Sequence, residues 1–224
     1  KTAYEIYQCD WSSDVCSSDL FDMLGEGART VADAERYSKD YLGAIEAVGA
    51  FQARHKFPRA SGISVKLSAL HPRYEFAQRA RVMSEMLPRL IALCEAAARF
   101  DIPVTIDAEE AERLQLSLEI AEQLLAKANL GAWEGLGFAV QAYQKRAPLV
   151  IDYLAELAAV YRRRIHVRLV KGAYWDGEIK RAQERGFTDF PVFTRKASTD
   201  VSYLACARRM LAAEWVNPVF GTHN

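Results

Sequence analysis

The stretch HVRLVKGAYWD, His166 to Asp176, alternates apolar and polar residues, breaks at Gly172 and ends in the aromatic residues Tyr174 and Trp175. Period-two alternation through Val167 and Leu169 predicts a β-strand. Arg168 and Lys171 run along it, and a cation carried into an apolar setting needs an anionic or electron-rich partner. The strand is therefore expected to end in chemistry rather than in a plain turn.

Working outward, the same kind of unit recurs. FDML (21–24) precedes TVADAERYSKDYLGAIEAVGAF (30–51), where Thr30 and Asp33 make a helix-start signal with Asp in place of the usual Glu. GISVKLSAL (62–70) predicts a strand and RVMSEMLPRLIALCEAAARF (81–100) a helix. IPVTIDAEE (102–110) feeds ERLQLSLEIAEQLLAKA (112–128), and GFAVQAY (137–143) feeds PLVIDYLAELAAVYRRR (148–164). HVRLVKGAY (166–174) precedes EIKRAQERG (178–186), and TDVSYLACARRMLAAE (199–214) leads to NPVFGTHN (217–224). Six strand and helix alternations follow one another without a linker, which implies parallel pairing through right-handed crossovers.

Two α/β architectures have this pattern, a doubly wound open sheet and a (β/α)8 TIM-type barrel. Asp22 and Glu26, Lys66, Asp107, Gln141, Arg168 and Lys171, and His223 all fall near the C-terminal ends of the predicted strands. A barrel brings such ends to one mouth, whereas an open sheet gathers two or three of them at a switch point. No GxGxxG fingerprint follows the first strand. A barrel is the expected fold, distorted, with about six βα units in this chain and the rest expected beyond Asn224.

Of the 224 residues half are hydrophobic, enough for one globular core, and the formal net charge is zero. Neither a nucleic-acid groove nor a polybasic membrane anchor is favoured at that balance. There is no apolar run of the ~20 residues a membrane span requires and no signal-peptide pattern, so a cytoplasmic setting is expected. Cys9, Cys16, Cys94 and Cys206 have no CxxC or metal-finger spacing, and Cys94 and Cys206 fall among Leu and Ala on helical faces. Both are expected to pack.

Residues 1–20, KTAYEIYQCDWSSDVCSSDL, have no sustained period, and DWSSDVCSSDL resembles a translated sequencing-library adapter. They are expected to be foreign to the fold, leaving one domain over 21–224 with 28 basic and 25 acidic residues.

Two or more cations, an amide and a carboxylate beside Tyr174 and Trp175 suit a flat, electron-rich cofactor such as an isoalloxazine. Arg168 stays charged when buried and Gln141 can donate to a ring carbonyl. Spacing alone leaves a second reading open, in which Arg168 pairs with an acid such as Asp107 to satisfy the interior. His55 and His166 have no partner at metal spacing, so no metal site is expected, and no GxSxG elbow supports a hydrolase. His71, before a proline, is expected in a turn or at the surface.

GISVKLSALHPRY, VTIDAEE, GFAVQAYQKR, VRLVKGAYWD, EIKRAQ, FTRK, TDVSYLACA and THN stand in order across nearly all of Phe21 to Asn224. Together they resemble the proline dehydrogenase domain of the bacterial bifunctional proline utilization enzyme. The resemblance implies a distorted β/α barrel that holds FAD and oxidises L-proline to 1-pyrroline-5-carboxylate. Hydride would pass to the flavin N5 and electrons onward to a membrane quinone. It also implies a parent protein that carries an aldehyde dehydrogenase domain and associates peripherally with the inner membrane.

By the same resemblance, Arg168 lies by the flavin N5 and Gln141 by its pyrimidine edge, while Val170, Gly172, Trp175, Thr194, Lys196 and His223 contact other parts of FAD. Lys66 helps hold the proline carboxylate. Asp107, Leu169 and Tyr174 line the proline pocket, and Glu26 is a gate acid over it. Duller roles compete: Lys66 can snorkel, Glu26 can be a solvated loop acid, and Tyr174 can be core. The resemblance further implies a final helix beyond Asn224 with an arginine pair for the carboxylate. Without it this chain is expected to bind substrate weakly, and a catalytically incompetent fragment is the alternative.

Overall fold

A computed structural model describes residues 20–22, 27–55 and 62–221. The expectations for residues 1–19, Glu26 and His223 lie outside the described residues. The chain divides into two compact units, Lys1–Asp107 with Gln115–Leu136, and Ala108–Leu114 with Gly137–Asn224.

In the first unit, β1 (Leu20–Asp22), β2 (Gly62–Val65) and β3 (Val104–Ile106) pair in parallel, with Asp22 opposite Ser64 and Val65 opposite Ile106. The long helix α1 (Val31–His55) starts where the sequence predicts. Asp33 N donates to Thr30 Oγ1 at 3.1 Å while Thr30 N donates to Asp33 Oδ2 at 3.0 Å, a reciprocal cap that satisfies two helix-start donors. Ile63, Val65, Val104 and Ile106 are fully buried, as are Tyr41 and Ile45 on α1. Each such aliphatic side chain contributes roughly 1.5–3 kcal/mol on burial.

Two sequence readings need correction here. The strand expected over 62–70 stops at Val65, and Leu67–Leu70 forms the one-turn helix α2, with Ala69 N bonded to Lys66 O. All four α2 residues are buried, although the period-two alternation of Ile63, Val65 and Leu67 with Ser64, Lys66 and Ser68 continues past the end of the strand. The helix expected over 81–100 is two, α3 (Arg79–Glu85) and α4 (Leu87–Ala98), parted at Met86. Pro88, in the first turn of α4, has no N–H to continue the ladder.

His71 stands at a turn, one of its two expected places, and not at the surface. It is 1% exposed, its Nδ1 accepts from Arg73 N at 3.1 Å, and its Nε2 lies 3.1 Å from Glu85 Oε2. The turn after α2 thereby tucks the ring against α3. The unit is completed by α5 (Leu114–Lys127), whose Leu116, Ile120 and Leu124 are buried.

In the second unit, β4 (Leu136–Gln141), β5 (Ile165–Val170) and β6 (Val216–Phe220) are parallel and adjacent in chain order. Three helices join them: α6 (Ala147–Val160), α7 (Trp175–Glu184) and α8 (Lys196–Ala212). On β5, Ile165, Val167 and Leu169 are buried while His166, Arg168 and Val170 are partly exposed, as the alternation predicts. The strand ends at Val170, so Lys171 stands past it, exposed, rather than along it. Cys94 and Cys206 are buried free thiols.

Candidate active site

Lys66 follows β2 in an extended conformation, at the point where the chain turns into α2. Its ammonium lies 3.0 Å from Asp22 at the end of β1 and 3.2 Å from Asp107 just past β3. Asp107 is nearly buried, with 8% side-chain exposure against 56% for Asp22. Burial opposes the Lys66 charge, but the Asp107 and Asp22 carboxylates outweigh it and hold the group above its ordinary value. Behind it, Lys66 N donates to the Tyr41 hydroxyl, whose own proton is held tighter by burial, pushed up to about 12.

The second cluster is built around the end of β5. Gln141, the last residue of β4, pairs in register with Val170, and Ala139 with Arg168. Ala142 N and Tyr143 N donate to Val170 O and Lys171 O, so the two chains stay joined past the strands. Gly172 follows with φ +142°, and a Cβ there would fall 2.5 Å from the Tyr143 ring. Only glycine fits that turn. The Tyr143 hydroxyl accepts from Tyr174 N at 3.3 Å, and burial raises its pKa, with Glu178 adding to it.

Trp175 opens α7 and is 42% exposed, with its indole N–H donated to Phe193 O at 2.9 Å. That bond ties α7 to the segment holding Thr194 and Lys196, both exposed. Lys171 and Lys196 each lie 2.9 Å from Asp200 on α8.

Within the first unit the predicted Lys66 and Asp107 are in contact. Within the second, the Gln141 side chain accepts from the N–H of Ala173, the residue between Gly172 and Tyr174. Leu169 is fully buried in β5, and Val170 and Arg168 are partly exposed. Sequence reasoning missed Tyr41, Tyr143, Arg146 and Glu178. Glu178 is 3% exposed on α7, accepts from Ala111 N at 2.6 Å, and is shifted upward by burial. Nothing local in EIKRAQ distinguishes it from a solvated helix acid, because its partner lies 67 residues away.

The family described as proline dehydrogenase matches residues 14–224. The bifunctional protein PutA of Salmonella typhimurium is 55% identical over 205 residues, 91% of this chain and 16% of that protein. The chain thus spans about a sixth of the length of that curated relative. A mutant of Bradyrhizobium japonicum proline utilization A superposes with a TM-score of 0.88 at 56% identity, over 92% of this chain and 21% of that one. Proline utilization A from Bdellovibrio bacteriovorus, inactivated by N-propargylglycine, gives 0.85 at 27% identity over 92% of this chain and 23% of that one. The fold class is accordingly α/β, of the TIM-barrel type that these relatives share.

Proposed function

The chain belongs to the proline dehydrogenase family, and on that premise we propose that it binds FAD and oxidises L-proline to 1-pyrroline-5-carboxylate, the first step toward glutamate. One observation carries this reading: the end of β5 presents Arg168, the glycine-only turn at Gly172, Tyr174 and the open face of Trp175 within a few residues.

These residues fit a flavin. The Gly172 backbone is exposed and has no side chain to keep a ring away. Trp175 has its N–H committed to Phe193 O, which leaves its exposed face for stacking. Lys171, Lys196 and Arg195 gather at the start of α8, where no side chain caps the helix, and such an end suits a diphosphate. When bound, FAD supplies the two-electron acceptor for C–H oxidation.

Arg168 places a permanent cation on β5, which favours negative charge gathering on a neighbouring ring. Gln141 retains one N–H for a ring carbonyl, and Val170, Thr194, Lys196 and His223 make the remaining cofactor contacts. On the substrate side, Lys66 offers its ammonium to the proline carboxylate, which displaces the more exposed partner, Asp22. Asp107 stays to face the proline nitrogen; the roles of Leu169 and Tyr174 toward the proline ring and of Glu26 as a gate acid are taken from the family resemblance. Quinone accepts the electrons. The longer protein carries an aldehyde dehydrogenase activity and works in the cytoplasm, peripherally on the inner membrane. No described helix is long and apolar enough to cross a membrane.

The experiment is the visible spectrum of the purified chain, incubated with FAD, desalted, then mixed anaerobically with L-proline. A retained flavin band that bleaches with proline is expected. A retained band that proline leaves unchanged removes the substrate assignment, and no retained band removes the cofactor site from this chain.

A further inference from the structure

Gln141 is 3% exposed and commits both ends of its carboxamide to backbone. Its NH2 group donates to Glu109 O at 2.9 Å, and its oxygen accepts from Ala173 N at 3.0 Å. The partners dictate this orientation, because a carbonyl can only accept and a backbone N–H can only donate. They also belong to different connections, the loop 108–114 and the turn 171–174 that follows β5.

Each connection has further restraints of its own. Glu178 accepts from Ala111 N at 2.6 Å and Arg146 donates to Ala111 O, so both backbone groups of one loop residue are capped. The turn is held by the Tyr143 hydroxyl on Tyr174 N and by the close approach of Gly172 to the Tyr143 ring. Gln141 touches both the loop and the turn.

We propose that Gln141 is a positioning residue: its buried carboxamide ties the 108–114 loop to the 171–174 turn, setting Tyr174 and the Gly172 backbone in place before cofactor or substrate arrives. A buried amide that loses either partner is left desolvated without compensation, so loop and turn move together. The bracket stands on geometry alone, and its consequence for proline oxidation rests on the function proposed above.

The test is amide hydrogen exchange on the flavin-free chain, resolved to Ala173 and expressed as protection relative to the intrinsic rate. Wild type is expected to protect Ala173 without flavin, and Gln141→Leu to lower that protection about tenfold or more. A protonated glutamic acid presents a hydroxyl donor and a carbonyl acceptor in the same places. Gln141→Glu keeps an oxygen to accept from Ala173 N in either protonation state and is therefore expected to keep Ala173 protected where Gln141→Leu does not.

Unchanged protection in Gln141→Leu overturns the proposal. The amides of Phe138 and Val140 in β4 report whether a variant has kept its fold. Should both variants lose those too, wild type decides: Ala173 protection that appears only after FAD is added overturns the bracket. FAD retention, followed separately by absorbance, keeps two failures apart. Protected Ala173 in a chain that never retains FAD refutes the function and leaves the bracket; retained FAD with unprotected Ala173 does the reverse.

Discussion

The ammonium of Lys66 lies 3.2 Å from the carboxylate of Asp107, and Asp107 is nearly buried. Removing the lysine takes a cation away from a nearly buried carboxylate. Lys66→Met is expected to lower unfolding free energy by roughly 2–4 kcal/mol in urea titrations at neutral pH. Lys66→Met with Asp107→Asn is expected to regain at least half of that loss, and strict additivity would show the pair is not coupled. The folded pKa of Lys66 is raised, so its stabilisation is complete below its unfolded value and declines as pH rises above about 10. Wild type should therefore converge on Lys66→Met in alkali.

Glu178 behaves in the opposite sense. Burial raises its folded pKa, so between its unfolded and folded values the native state binds more protons than the unfolded chain. Acidification from neutral pH toward about pH 4.5 then adds stability through this group. Glu178→Gln keeps an oxygen to accept from Ala111 N and has no proton to gain. Unfolding measured over that window is expected to show a shallower acid-side rise for Glu178→Gln than for wild type, and parallel curves would disprove the assignment.

Gly172→Ala combines an unfavourable φ with a Cβ placed 2.5 Å from the Tyr143 ring. The expected cost is about 2–4 kcal/mol, read as a lowered thermal midpoint. Flavin retention should fall with it. A variant as stable as wild type would mean the turn can reshape without loss.

Trp175 separates a stacking role from a tethering role. Trp175→Phe keeps an aromatic face and loses the N–H to Phe193 O, whereas a change to Ala removes both. Titration of FAD against the desalted chain is expected to weaken about five- to tenfold for Phe and substantially more for Ala. Equal losses would leave the indole N–H as the whole contribution.

Much of the local structure was legible beforehand. Period-two alternation identified β5, Thr30 and Asp33 marked the start of α1, and a glycine after VRLVK marked a turn that no side chain can occupy. These are short-range matters, decided by sterics and hydrogen bonds within one pleat or one turn. The ordered motifs likewise pointed to the proline dehydrogenase family. What the linear chain could not reveal were the partners. Lys66 reaches Asp22 and Asp107 across 44 and 41 residues, Gln141 brackets groups 32 residues away on either side, and Glu178 finds Ala111 at 67. His71, expected in a turn or at the surface, stands at the turn after α2 and is buried against Glu85. Sequence by itself determined which residues could carry charge, donate or turn the chain. Only tertiary structure decided which charge met which carboxylate, because that depends on strand pairing and loop closure, and no residue's own chemistry contains them.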